Sequence, residues 1–288
     1  MRADFPITEL CEALEVSASG YHAARTRKPS QRQNANQHLL ECINTIHSHR
    51  HTRSYGSPRM THELHALGLS CSENRVARLM HLGEVRAQPR RPYRPKTTQP
   101  DHAAHPSPNL LAQAPAPTAP GTHLVSDITY IPTQEGWLYL AVVLDLFSRS
   151  ILGWKLSESL HTDGVTAALR RALDTGLVAS QAIFHSDRGC QYTAASTRQL
   201  LAAHGLRQSM SAAGYCYDNA FAESFFASLK AELTEDPSPF TSKRAATTAI
   251  FDYLETFYNR SRRHSSLAFQ SPRDFLNAYF LSQTSSLN

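Results

Sequence analysis

The chain has 288 residues, of which 41% are hydrophobic, and a formal net charge of +5. This length allows two domains, one of them with a substantial core. No apolar run approaches the roughly 20 residues that a membrane helix needs, and the five cysteines are too scattered for a disulfide framework. Membrane-spanning and disulfide-stapled classes are therefore excluded, and a cytoplasmic protein with reduced thiols is expected.

The basic charge is concentrated in the first part of the chain. Residues 1–121 contain 15 Lys and Arg against 9 Asp and Glu, whereas residues 122–288 contain 14 against 15. Sequence-independent attraction to nucleic-acid phosphates is therefore expected upstream.

The upstream part has helical periodicity in two places. A weaker pair of helices is indicated at 8–25, within an N-terminal helical segment assigned to 1–35. In the next segment, 36–90, apolar residues recur at helical spacing from 58 to 67, and Gly68 follows as a stop signal. A first helix is therefore predicted to end there.

A second helix is predicted to open with a capping box formed by Ser70 and Glu73. Arg75 and Arg78 are three residues apart on the outer side of this helix, where they could contact phosphates or guanine edges of DNA. Its inner side carries three apolar residues: Val76, Leu79 and Met80. We interpret 36–90 as a helix-turn-helix DNA-binding domain; a solvated arginine face on an ordinary helical hairpin is the alternative.

A proline-rich stretch follows. Nine of the sixteen prolines lie between Pro89 and Pro120. Such a segment is typical of an extended, semi-rigid spacer, and we assign 91–121 as a Pro/Ala-rich linker between two folded parts.

Beyond the linker, in 122–288, the pattern changes to α/β. Two hydrophobic runs separated by Gly136, followed by a third, predict an antiparallel meander at the start of a mixed sheet flanked by helices. The predicted strands are 122–133, 137–147, 150–156, 182–185 and 206–210. Helices are predicted at 162–173, after Thr193, at 218–233 and at 242–259.

Three acids stand out on this map. Asp127 lies in the first predicted strand, Asp187 follows the fourth, and Glu223 lies on a helix 36 positions after Asp187, so 35 residues separate the two. Carboxylates from two strands and a helix can converge on divalent cations, which prefer oxygen ligands. Asn219 and Lys230 share the helical face of Glu223, at four residues before and seven after it, and could contact a DNA phosphate.

Each acid has an alternative interpretation. Asp145 competes with Asp127 for the strand position, although Asp145 could simply pair with Arg149 or end a strand. The string from Ser186 to Gly189 around Asp187 could be only a turn. Asp218 competes with Glu223, although Asp-Asn before an apolar helix is an ordinary N-terminal cap. His185 is interpreted as a packed strand-end residue without a chemical role.

The strings at 126–131, 185–192 and 218–226 strongly resemble the DDE transposases of bacterial insertion sequences. The resemblance is to the OrfB products of insertion-sequence group three, which are relatives of retroviral integrases with a ribonuclease H-like core. Shorter matches occur at 144–149 and 258–267. Two positions depart from the family pattern: Leu124 replaces a tryptophan, and Arg262-Arg263-His264 replaces Arg-Pro-His.

This resemblance implies a transposase that cleaves DNA and then joins the freed 3′-OH to a target. It implies that Asp127, Asp187 and Glu223 ligate two Mg²⁺ or Mn²⁺ ions. The implied partners are double-stranded DNA (terminal repeats and target), further copies of this chain, and a protein or fusion segment from an upstream frame, in a nucleoid-associated complex. The alternatives are a decayed or domesticated DNA-binding protein and a nuclease that cuts without joining.

Overall fold

The computed structural model describes residues 5–87, 107–211, 220–233 and 239–285. The upstream part is entirely helical, as predicted. Its helices are α1 (Ile7–Ala13), α2 (Ala18–Thr26), α3 (Gln31–Ser48), α4 (Ser57–Ala66) and α5 (Glu73–Leu82).

Helix α3 was not predicted. It opens with a capping box, in which the Ser30 side chain accepts from the Gln33 backbone and the Gln33 side chain accepts from the Ser30 backbone. It therefore begins upstream of the expected boundary between residues 35 and 36. Buried Leu39 and Ile43 join the apolar faces of α4 and α5, so three helices, not two, build this small core.

The predicted capping box of α5 is wrong. Ser72, not Ser70, caps the helix and accepts from the Arg75 backbone N–H at 3.4 Å. Gly68 ends α4 at φ +78°, and the Leu69 N–H bonds back to α4, so the next residues must turn before a new helix can begin.

The described part of the expected linker is attached to the downstream domain. Ser209 Oγ accepts from the backbone N–H groups of Leu110 and Leu111 at 2.9 and 3.2 Å, and Ser107 donates to Gln208 at 2.9 Å. Residues 107–111 therefore hydrogen-bond along β5 at the edge of the sheet, which an unattached spacer would not do, and the assignment of 91–121 as a linker stays a prediction. Positions 91–106 lie outside the described residues.

The downstream domain is built on a five-stranded mixed sheet of order β3-β2-β1-β4-β5. The strands β1, β2 and β3 form the predicted antiparallel meander, whereas β4 is parallel to both β1 and β5. The bounds are β1 His123–Thr133, β2 Gly136–Asp145, β3 Ile151–Ser157, β4 Ile183–Ser186 and β5 Arg207–Met210.

Helices cover both faces of this sheet, so β2 is buried on both sides. Ala141 and Val143 pack under α6 (Thr162–Asp174) and α8 (Ala195–Ala203), after the short helix α7 (Cys190–Thr193). Val142 and Leu144 pack on the opposite face. That face is covered by α9 (Ala220–Leu233), α10 (Lys243–Phe251) and the segment that follows α10, while α11 (Pro272–Ser285) contacts Phe147.

The helix predicted at 242–259 changes its hydrogen-bonding pattern midway. After α10 the chain continues as a π-helical segment, Asp252–Tyr258. Its wider turns bury four side chains together: Tyr253, Leu254, Phe257 and Tyr258. Such segments are rare and often lie near functional sites.

The predicted architecture, a mixed α/β domain preceded by an all-helical region, is confirmed. Among the helices within the described ranges, none combines the length and the apolar character needed to cross a membrane.

Candidate active site and its relatives

Asp127 and Asp187 lie on neighbouring parallel strands of the sheet: Asp127 is within β1, and Asp187 directly follows the end of β4. In β1 and β4, Val125 is the register partner of His185. Two residues further along each chain come Asp127 and Asp187, and side chains at this interval return to the same face. Since neighbouring strands are about 4.8 Å apart, one cation could contact both carboxylates.

The backbone orients both carboxylates, which are partly exposed. Asp127 Oδ1 accepts from the Ile128 N–H at 2.8 Å, and Asp187 Oδ1 accepts from the Gly189 N–H at 3.0 Å. The tight turn after β4 therefore holds Asp187 at the carboxyl end of that strand.

A buried tyrosine lies beneath the two aspartates. Tyr192 Oη is 3.1 Å from Ser126 Oγ, and the ring is almost fully enclosed. Burial raises the pKa of the Tyr192 phenol well above its usual value, and the negative charges of Asp127 and Asp187 raise it further. Tyr192 therefore stays neutral and adds no charge beneath the two aspartates.

Lys230 approaches the pair from α9. Burial lowers the pKa of its ammonium to about 8, while the negative charge of Asp127 acts in the opposite direction. Lys230 therefore places a partly desolvated positive charge near Asp127. Its predicted partner on α9, Asn219, lies outside the described residues, as does Asp218.

Glu223 is exposed on the same helix, seven residues before Lys230. This interval is about 10 Å along a helix axis, and the two residues share a face. In the part of the chain that the structure describes, no group of three or more His, Cys, Asp or Glu side chains is arranged to hold a metal ion. The structure thus places Lys230 near Asp127, which lies on the strand beside Asp187, and Glu223 lies on the α9 face that carries Lys230.

Asp145, the competitor of Asp127, is engaged elsewhere. It is fully buried and accepts hydrogen bonds from Gly121 N (2.9 Å), Ser148 N (2.9 Å) and Ser148 Oγ (2.6 Å). These bonds hold the turn between β2 and β3, so Asp145 ends a strand as the alternative reading supposed.

His185 is a packed strand-end residue, as interpreted from the sequence. It is fully buried, with Nδ1 2.8 Å from Ser209 Oγ and Nε2 3.1 Å from Ser211 Oγ. It thereby joins β4 to the segment that continues from β5.

In the upstream region, Val76, Leu79 and Met80 are buried as predicted, and Arg78 is exposed. Arg75 is only partly exposed, because its Nε donates to Asn36 Oδ1 on α3 at 2.9 Å. The two arginines are therefore not equivalent: Arg78 is open to a ligand, whereas Arg75 also holds two helices together.

A buried charge at the C-terminal end of α9 was not predicted from the sequence. Glu232 is 1% exposed and forms a two-point ion pair with Arg262, at 2.7 and 2.8 Å. A signal was present, because Glu232 follows Phe225 and Leu229 at positions i+7 and i+3 on the apolar face of the helix. The Arg262-Arg263-His264 string, noted only as a departure, supplies its partner.

A mixed sheet of this strand order, with one aspartate in its central strand and a second directly after the neighbouring parallel strand, is typical of an integrase-type catalytic domain. Two family models described as "Integrase core domain" match residues 117–216 and 204–272, and one described as "HTH-like domain" matches residues 34–93. The predicted ribonuclease H-like fold and the upstream helix-turn-helix class are thereby confirmed.

The chain is 39% identical over 278 residues to the transposase InsF for insertion sequence IS3A of Escherichia coli (strain K12), covering 96% of both chains. It is 40% identical over 249 residues to the transposase for insertion sequence element IS904 of Lactococcus lactis subsp. lactis (strain IL1403), covering 86% of this chain and 97% of the relative. The chain belongs to the IS3 family of insertion-sequence transposases and is a DDE-type polynucleotidyl transferase.

Solved structures give more distant similarities. One is the HTLV-2 integrase catalytic core domain in complex with magnesium (trimeric form), at 12% identity and a TM-score of 0.42, covering 55% of this chain and 97% of that one. Another is the simian T-cell lymphotropic virus intasome in complex with PP2A regulatory subunit B56 gamma, at 13% identity and a TM-score of 0.42, covering 76% of this chain and 69% of that one.

Proposed function

We propose that this transposase cleaves the ends of its element and joins them to target DNA through Asp127, Asp187 and Glu223, with two Mg²⁺ or Mn²⁺ ions. The observation that supports the proposal is the parallel register of β1 and β4, in which Val125 pairs with His185, because Asp127 and Asp187 follow these two residues at the same interval. Together with Glu223 they supply three carboxylates.

The donor set fits hard divalent cations, because carboxylate oxygens are the ligands that Mg²⁺ and Mn²⁺ prefer. Such ions supply activation of a nucleophilic water or 3′-OH and stabilisation of the leaving oxygen. Because three neighbouring carboxylates repel one another, bound divalent cations would stabilise their convergence.

Neighbouring side chains fit the same chemistry. Lys230 carries its charge beside Asp127, where it would hold a phosphate oxygen of the scissile strand. Tyr192 keeps its proton because burial and both aspartates oppose ionisation, so it adds no negative charge that would repel DNA. Neither residue needs to form a covalent bond with the substrate.

For DNA recognition we propose that the upstream helices read the terminal repeats. Exposed Arg78, with the remaining donors of Arg75, would contact the duplex from α5, while Asn219 and Lys230 would contact the strand being cut. Because an element has two ends to be processed together, we expect several copies of the chain to assemble on DNA at the nucleoid. A protein or fusion segment from an upstream frame would complete end recognition.

The test is a strand-transfer assay with Mg²⁺ and labelled duplexes from the DNA that flanks this reading frame. We expect joined products from the wild type and none from Asp127→Asn or Glu223→Gln, with end binding retained in both variants. Undiminished joining by Glu223→Gln would refute the role of the third carboxylate. Cutting without joining by the wild type would instead indicate a nuclease.

A further inference from the structure

The C-terminal turn of α9 is held by the upstream helical region. Ser54, which lies between α3 and α4, donates to Glu232 Oε1 at 3.2 Å, and Arg59 Nη1 on α4 is 4.0 Å from the same oxygen. From the same connection, His51 Nδ1 is 3.4 Å from the backbone oxygen of Glu232, and Arg50 Nη2 is 3.5 Å from that of Leu233. Basic groups at the last carbonyl oxygens stabilise a helix end.

The downstream domain completes the surroundings of Glu232. Arg262 donates to both carboxylate oxygens, and Tyr253 Oη donates to Oε2 at 2.8 Å. Burial alone would raise the pKa of Glu232, but Arg262 and the hydrogen bonds from Arg262 and Tyr253 outweigh it, so the pKa is lowered and the carboxylate is charged. We call Glu232, Ser54, Tyr253 and Arg262 the α9 anchor.

The anchor and the proposed catalytic residues occupy opposite sides of one helix. Glu232 is nine residues after Glu223 and two after Lys230, which are rotations of about 180° and 200°. A helix of this length transmits axial and rotational shifts because its backbone hydrogen bonds keep it stiff. A displacement at Glu232 therefore moves Glu223, about 13 Å away along the axis.

We infer that Glu232 is a positioning residue that couples the docking of the upstream DNA-binding region to the placement of Glu223 and Lys230 at the aspartate pair. This inference rests on the proposed function of these two residues. Ser54 supplies the upstream side of the coupling, and Arg262 fixes the carboxylate between the two parts. A chain whose upstream region is displaced would then hold its catalytic helix out of place.

The test uses the full chain with Ser54→Ala and Arg262→Lys. Ser54→Ala removes one upstream donor and keeps the ion pair, whereas Arg262→Lys keeps the charge and loses the two-point geometry. Glu63→Gln is the matched control, because Glu63 pairs with Arg263 at 2.9 Å across the same boundary and does not belong to the α9 anchor.

Two readouts separate positioning from general stability. In metal-free protein, amide hydrogen exchange in 220–233 is expected to be about fivefold faster in both variants. In strand transfer, the Mg²⁺ concentration for half-maximal rate is expected to rise about tenfold, as for other residues that orient metal ligands, while binding to the end duplex stays within about twofold. A variant that only lost stability would lower the active fraction without changing the Mg²⁺ requirement.

Unchanged exchange and an unchanged Mg²⁺ requirement in Ser54→Ala would overturn the inference, and so would equal changes in Glu63→Gln. If Arg262→Lys fails to fold, Ser54→Ala decides the question. Full joining activity in Glu223→Gln would refute the proposed function. The amide hydrogen exchange of 220–233 would then test by itself whether the upstream region is coupled to α9.

Discussion

Replacing Asp145 by Asn should reduce stability but not activity, whereas the same change at Asp127 should abolish activity but not stability. Asp145 is fully buried and its carboxylate accepts from Gly121 N and from both the backbone and the hydroxyl of Ser148. Asparagine has the same shape, but one of its two terminal groups is a donor. In either orientation of the amide, that group faces at least one donor.

The least damaging orientation keeps the oxygen on Ser148 and turns the amide nitrogen toward Gly121 N. One buried N–H then loses its acceptor, at about 1–3 kcal/mol, and two bonds to a charged acceptor become weaker neutral ones, at about 1 kcal/mol each. We expect a loss of about 3–5 kcal/mol in the free energy of unfolding of the downstream domain. For a domain of this size the melting temperature should fall by about 10 °C.

The assay is thermal unfolding by circular dichroism, paired with strand transfer at a temperature where the variant is folded. Asp145→Asn should melt early yet join DNA with the Mg²⁺ requirement of the wild type. Asp127→Asn should do the reverse: it should lose joining, while in metal-free buffer its melting temperature should stay near that of the wild type, because relief of the repulsion between two adjacent carboxylates offsets the lost attraction to Lys230. A stable but inactive Asp145→Asn, or an active Asp127→Asn, would refute this assignment.

Three further predictions concern packing, the buried ion pair and DNA. Arg262→Met should cost about 3–5 kcal/mol in urea unfolding by removing the two-point partner of the buried Glu232 charge, and adding Glu232→Leu should recover most of the loss; no recovery would contradict this account. Gly153→Ala should reduce soluble, folded protein, because a Cβ there would lie 2.1 Å from a backbone oxygen of α6, and a wild-type yield would show that α6 can shift. Arg78→Ala should weaken binding to end duplexes and lower the salt slope by about one, whereas an unchanged slope would exclude a phosphate contact.

A pH prediction follows from the lowered pKa of Glu232. A carboxylate whose pKa is lower in the folded state stabilises the fold above its unfolded pKa, and this contribution is lost as the pH falls through the folded value. In acid titrations monitored by circular dichroism, the wild type should therefore lose stability below pH 4.5, the ordinary pKa of a glutamate carboxyl. Glu232→Gln should lack this acid-dependent loss. Identical titrations would argue against a charged Glu232.

Much of the downstream domain could be predicted from the sequence because its signals are local. The long apolar run of β2 requires a covered strand, and Gly136 between two such runs favours a hairpin. Asp127 and Asp187 could be selected because each lies within a distinctive string, the first inside a predicted strand and the second directly after one. Their alignment depends only on β1 and β4 being parallel neighbours.

The features that were not predicted from the sequence depend on contacts between distant segments. Helix α3 carries few apolar residues and shows its buried face only once α4 and α5 pack against it. The segment 107–121 has the composition of a spacer, yet its backbone N–H groups find an acceptor in Ser209, about 100 residues later. Composition does not reveal such a partner.

The sequence by itself determined the family, the sheet with its covering helices, and the identity of the candidate carboxylates, because these follow from residue order and local periodicity. Only the tertiary structure decided that Asp145 holds a turn, that Lys230 lies beside Asp127, and that the connection between α3 and α4 contacts the end of α9 through Glu232. The physical reason is that burial and pairing of charge depend on residues far apart in the chain. A carboxylate becomes a structural anchor or a candidate ligand according to the donors that the fold brings to it.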